Sequence, residues 1–76
     1  MSSTNWPDAK KTAEAAKQRI LRQPHLTQQR IWCECDEERL FLRGQVPSFY
    51  FKQLAQEAVV GMEAVRQIVN EIEVVW

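Results

Sequence analysis

Two short runs of alternating character limit the fold more than anything else in the chain: "RIWCECDE" and "RLFLRGQV", which meet at Glu37–Glu38. In the first, Ile31, Cys33 and Cys35 fall on one side and Trp32, Glu34 and Asp36 on the other. In the second, Leu40, Leu42, Gly44 and Val46 alternate with Phe41, Arg43 and Gln45. A turn at Glu37–Glu38 sets Cys35 against Leu40 and Cys33 against Leu42, so both apolar sets share one face; a slip of one residue would send one set to the opposite face. A β-hairpin is therefore expected, although Glu-Glu is poor chemistry for a tight two-residue turn. The same register puts Trp32 beside Arg43 on the opposite face, within reach of a cation–π contact.

Helices flank the hairpin. From Asp8 to about Gln23 the chain has no Gly or Pro and is rich in Ala, Lys, Gln and Arg, which favour helix. Asp8 is a candidate cap and Pro24 a stop. Ala9, Ala13, Ala16 and Ile20 form a thin apolar stripe, with Leu21 beside it, suited to close packing on a flat surface. A second helix opens after Ser48, a capping residue, and stops near Gly61. Phe51, Leu54, Ala55 and Ala58 make its inner stripe at 100° per residue, with Tyr50 at the margin and Phe49 outermost, beside Gln53 and Val60.

The last segment, "AVRQIVNEIEVVW", reads as one strand rich in β-branched residues. Ile68, Asn70, Ile72, Val74 and Trp76 share the inner side, Val69, Glu71, Glu73 and Val75 the outer. An inward Asn70 needs a hydrogen-bond partner, because an unsatisfied buried amide costs about 1–3 kcal/mol. The fold class is α+β: an αββαβ two-layer sandwich with a three-stranded sheet and two helices on one face. Strand two, helix two and strand three form a right-handed crossover, although strand three can flank either hairpin strand.

At 76 residues the chain holds one domain, expected over 8–76 after a flexible stretch 1–7. A core of this size supplies about 3–5 kcal/mol, so a partner or larger assembly can help stabilise it. No apolar run approaches the length of a membrane span, and the amino terminus shows no signal-peptide pattern, so a cytoplasmic location is expected, peripheral membrane contact aside. Ten basic residues balance ten acidic ones, but unevenly. Lys10, Lys11, Lys17, Arg19, Arg22 and Arg30 concentrate in the first half and most carboxylates in the second. This is either an orienting dipole or two solvated faces.

Little points to catalysis. Cys33 and Cys35, neighbours on one side of a strand, are expected to be reduced core thiols; a zinc site would need two more ligands. His25 sits alone in a loop. The acidic run at 36–38 lacks the length and glycine of a calcium loop, and two glycines cannot build a phosphate loop. We therefore expect no enzyme, no cofactor and no metal.

The order of elements and several residues together resemble the BON domain, named for bacterial osmotically induced and nodulation proteins. The resemblance covers roughly residues 16–75 and rests on Leu40, Leu42, Gly44, Val46, Ser48, Ala55, Ala58, Val65, Asn70, Ile72 and Val74. It implies a mixed sheet with strands two and three parallel. It also implies a non-enzymatic module that binds phospholipid or peptidoglycan-associated surfaces. Two positions depart from the pattern: Glu38 stands where the hairpin usually has glycine, and Ala64 replaces a second glycine. Both remove backbone freedom.

Two binding modes follow from the residues. In the first, Trp32, Phe41, Val69 and Val75 form an apolar strip on the open sheet face, rimmed by Glu34, Arg43, Glu71 and Glu73. There the chain associates with itself or with a protein partner, Arg43 joining the interface. In the alternative, Lys10, Lys11, Lys17, Arg19 and Arg22 meet an anionic phospholipid surface while Phe49 and Val60 insert shallowly. Nucleic acid is disfavoured, because Glu34, Glu71 and Glu73 would repel phosphate from the aromatic face.

Overall fold

The computed structural model describes residues 5–75, with side chains from residue 9 onward. Its elements are α1 (Asn5–Leu21), a 3-10 turn (Pro24–Leu26), β1 (Arg30–Asp36), β2 (Arg39–Val46), α2 (Phe49–Ala58), β3 (Gln67–Asn70) and β4 (Glu73–Val74). The class is α+β, two helices on a mixed sheet. The first helix starts at Asn5, three residues before the capping position read from Asp8. Trp76, assigned to the inner side of the last strand, lies outside the described residues.

β1 and β2 pair antiparallel in the expected register, with Cys33 opposite Leu42 and Trp32 opposite Arg43. β3 and β4 both run parallel to β2, which is therefore the central strand. The last strand is thus a single path in one register, interrupted at Glu71–Ile72. Asn70 makes the interruption: its Oδ1 accepts from the Ile72 backbone N–H at 3.2 Å, while its Nδ2 donates to the Lys52 carbonyl at 3.0 Å and to Gln56 Oε1 at 3.1 Å. One inward amide satisfies its own bonding capacity, breaks the ladder and ties the strand to α2. Across the gap Glu71 N–H still donates to Leu42 O, and Val75 N–H to Val46 O, both at 2.8 Å.

The core between the layers is Ala16, Ile20, Leu26, Leu40, Leu42, Val46, Ala55, Val59 and Ile72. Ile31, Cys33, Cys35, Phe51, Leu54 and Val74 pack against it half-buried. Leu26 carries no periodic signal in the sequence; the turn begun by Pro24 delivers it into the core.

Two backbone positions need comment. Gly44 has φ +141°, and a Cβ there would fall 1.8 Å from the Arg30 carbonyl oxygen, so the approach of β1 to β2 excludes any side chain. In the hairpin turn the left-handed residue is Glu37 (φ 61°), not Glu38. Glu38 instead receives the backbone N–H of Arg66 at 2.8 Å on its carbonyl, and its carboxylate meets Arg66 Nε at 3.0 Å. The glycine missing at Glu38 therefore leaves no backbone strain there; the turn places it one residue earlier.

Ser48 holds the cap position of α2 in extended backbone, but its hydroxyl makes no capping bond. The helix ends at Ala58, short of Gly61.

Candidate functional site: the open face of the sheet

Both helices lie on the side of Leu40, Leu42 and Ile72, leaving the outward side chains of β1 to β4 uncovered among the described residues. The register arranges these in rows. Trp32, Arg43 and Glu71 form one row; Glu34, Phe41 and Val69 form the next; Asp36, Arg39 and Gln67 follow. Arg43 binds the face together. Its Nη1 donates to Glu34 at 2.6 Å and its Nε to Glu71 at 3.0 Å, tying the central strand to both neighbours. The same guanidinium lies 5.2 Å from the centre of the Phe41 ring, and that of Arg39 lies at 5.6 Å.

The cation–π contact expected between Arg43 and Trp32 is thus made with Phe41, two residues along the same strand. Glu34, one row along, draws the guanidinium diagonally while Glu71 holds it from the same row, and Phe41 is what lies beneath it. Phe41 ends half-buried by its arginine neighbours, whereas Trp32 remains 49% exposed. The face is accordingly not a plain apolar strip. Trp32, Phe41, Arg43 and Val69 come together, while Val75 (51% exposed) lies beyond the Gln45–Glu73 row, which is closed by a 3.3 Å hydrogen bond. Val75 faces Gln28, Gln29, Arg30 and Pro47 at the sheet's end.

The alternative site spreads over the helix layer, on the other side of the sandwich. Lys10, Lys11, Lys17, Arg19 and Arg22 are all exposed. At 100° per residue, with the buried stripe of Ala16 and Ile20 as reference, Lys10 and Lys17 flank its β1 side, Lys11 and Arg22 point away, and Arg19 flanks the α2 side. Arg19 is engaged there, donating to the Val60 carbonyl at 3.2 Å. The five cations do not converge on one plane.

Phe49, at the start of α2, is 65% exposed, and Val60, in the turn after it, 58%. They bound a groove lined also by Lys52, Gln53, Gln56, Glu57 and Asn70. Tyr50, read as a margin residue, is 58% exposed, its ring meeting His25 and Phe51 edge-on. The helical wheel could not show this, because only the neighbouring turn decides whether the margin is covered.

The thiols of Cys33 and Cys35 are free and half-buried on the helix side. Burial pushes the Cys33 thiol up to about 11 despite nearby Lys17, and burial together with Asp36 raises that of Cys35. Both are poor nucleophiles near neutral pH. Among the described residues no three His, Cys, Asp or Glu side chains gather to hold a metal, and no helix is long and apolar enough to cross a membrane.

A helix-backed three-column sheet with one open, ion-pair-laced face is an α+β two-layer sandwich. The chain belongs to the BON domain family, whose model matches residues 8–75. That family is one of binding modules. No curated protein matches the sequence.

Proposed function

We propose that this BON domain is a non-enzymatic docking module that engages a protein surface through its open sheet face, with Trp32 as the anchor and Arg43 as the polar centre. The observation that carries this reading is the contrast between two neighbouring aromatics. Phe41 is roofed by Arg39 and Arg43, while Trp32 stays half-exposed beside the Glu34–Arg43–Glu71 network. An aromatic next to a pre-oriented arginine and a ring of charge is the composition of an interface hot spot, and a network formed beforehand lowers the ordering cost of binding. A photoreactive residue placed at Val69, in the neighbouring row of the open face, should yield a discrete protein adduct that disappears on Trp32→Thr or Arg43→Ala. The same probe at Phe49, on the opposite side of the molecule, should yield none. Adducts from position 49 alone would reverse the assignment.

A second reading, binding to anionic phospholipid, is favoured by the exposure of Phe49 and Tyr50 on α2 and of Val60 in the turn after it, beside Lys52. The dispersed cations of α1 weaken it, since each contributes about 1 kcal/mol only when near the surface. Cosedimentation with anionic but not neutral vesicles, reduced by salt and by Phe49→Ala and untouched by Trp32→Thr, would favour this second reading over the first.

A further inference from the structure

The outer rim of β1 pairs with no strand among the described residues: β2 is its sole strand neighbour, and α1 packs on the inward side, where Ile31, Cys33 and Cys35 meet the core of Ala16 and Ile20. It is seven residues long and has no proline, bulge or inward-pointing charge, the devices that ordinarily keep an edge strand from pairing. The opposite edge is short and broken at Asn70.

The sequence of β1, Arg-Ile-Trp-Cys-Glu-Cys-Asp, is complementary to itself when read backwards. Set antiparallel about Cys33, Arg30 meets Asp36 of the second copy twice, Ile31 meets Cys35 twice, and Trp32 lies beside Glu34. Parallel in-register pairing would instead stack Glu34 on Glu34 and Asp36 on Asp36. Centring on Trp32 leaves Cys35 and Asp36 without opposite numbers and calls on Glu34, already held by Arg43 at 2.6 Å. Arg30 has no ion-pair partner among the described residues, and Asp36 commits only Oδ2 to Arg39.

The helix above adds to the match. Lys10, Glu14, Lys17 and Leu21 form the ridge of α1 on the β1 side, alternating in sign, and Leu21 is 40% exposed with no apolar cover assigned to it. In an antiparallel pair of such ridges, Glu14 of one copy can meet Lys17 of the other.

We infer that two copies of this chain pair edge to edge through β1, antiparallel about Cys33, joining their sheets into one. The rim is a different surface from the open face, and pairing there is independent of what the open face binds. It sets two Trp32–Arg43 rows side by side on a continuous sheet of twice the width.

The test combines sedimentation with thiol trapping on the full chain. A concentration-dependent dimer is expected, and Arg30→Glu, which turns two attractions into repulsions, should raise its dissociation constant by about tenfold or more. Residues opposite each other in an antiparallel pair have Cα separations suited to a disulfide. Copper–phenanthroline at about pH 9, where some thiolate forms, should therefore crosslink the Cys35→Ser protein through Cys33 and leave Cys33→Ala uncrosslinked. Cys35 is the less buried thiol, so random collision would give the reverse order. A monomer at every concentration, a dimer indifferent to Arg30→Glu, or a dimer trapped through Cys35 or not at all would overturn the inference.

Discussion

Four residues carry far more of this structure than their size suggests. Asn70 closes the last strand's interruption with one side-chain atom and anchors α2 with another. Asn70→Ala should lower unfolding free energy by about 1–3 kcal/mol in urea denaturation, because it leaves the Ile72 N–H and the Lys52 carbonyl without those partners. Gly44 admits no side chain at all, so Gly44→Ala should cost about 2–4 kcal/mol by clash and backbone strain together. Glu37 is the converse: its left-handed φ is a strain that glycine would relieve, and Glu37→Gly should raise stability by about 1 kcal/mol. At Cys33 the sign follows from burial. Its folded pKa of about 11 lies above the ordinary thiol value of 9.0, so the folded state holds the proton more tightly. That contribution is intact below about pH 9 and is lost as pH climbs towards 11, whereas Cys33→Ala should not show this component of the alkaline decline in thermal unfolding. Of these four, the inward placement of Asn70 and its need of a partner were legible from period-two alternation. The positive φ at Glu37 was not, since nothing in Glu-Glu says which residue turns left.

At the scale of elements, the hairpin was the most legible part of the molecule. Alternation on both strands fixes the register within one residue, and the observed pairing of Cys33 with Leu42 follows from it. What alternation cannot supply is lateral reach along the sheet. Arg43 sits opposite Trp32, yet its fork spans diagonally to Glu34 and laterally to Glu71 and settles over Phe41. Alternation therefore put Trp32, Phe41 and Arg43 on one face but gave Arg43 the wrong aromatic neighbour. Arg43→Ala should release both carboxylates and uncover Phe41, costing about 1 kcal/mol, and Arg43→Lys should recover little, because a lysine cannot present two fixed N–H donors to carboxylates on opposite sides. A urea titration of the three proteins at low and high salt decides this, the difference narrowing as salt screens the pairs. Helix boundaries were legible to within a turn. The break between β3 and β4 was hidden in a run of β-branched residues that reads as one strand.

For the whole molecule, what matters is the segregation of sides. Leucines, isoleucines, valines and alanines that cannot be solvated cheaply meet between sheet and helices, and this alone consigns Trp32 and Arg43 to the uncovered side. A tryptophan kept there should contribute little to folding. Trp32→Thr, which retains a β-forming residue, should shift unfolding free energy by no more than about 0.5 kcal/mol, while abolishing the adduct expected at the docking face. The most direct check is collisional quenching of Trp32 fluorescence by acrylamide, a neutral quencher that the nearby carboxylates do not repel, in a protein whose other two tryptophans carry Trp6→Phe and Trp76→Phe. Ready quenching in the native state, scarcely increased by urea, is the predicted result. A Trp32 shielded until the chain unfolds would contradict the placement on which the docking face depends.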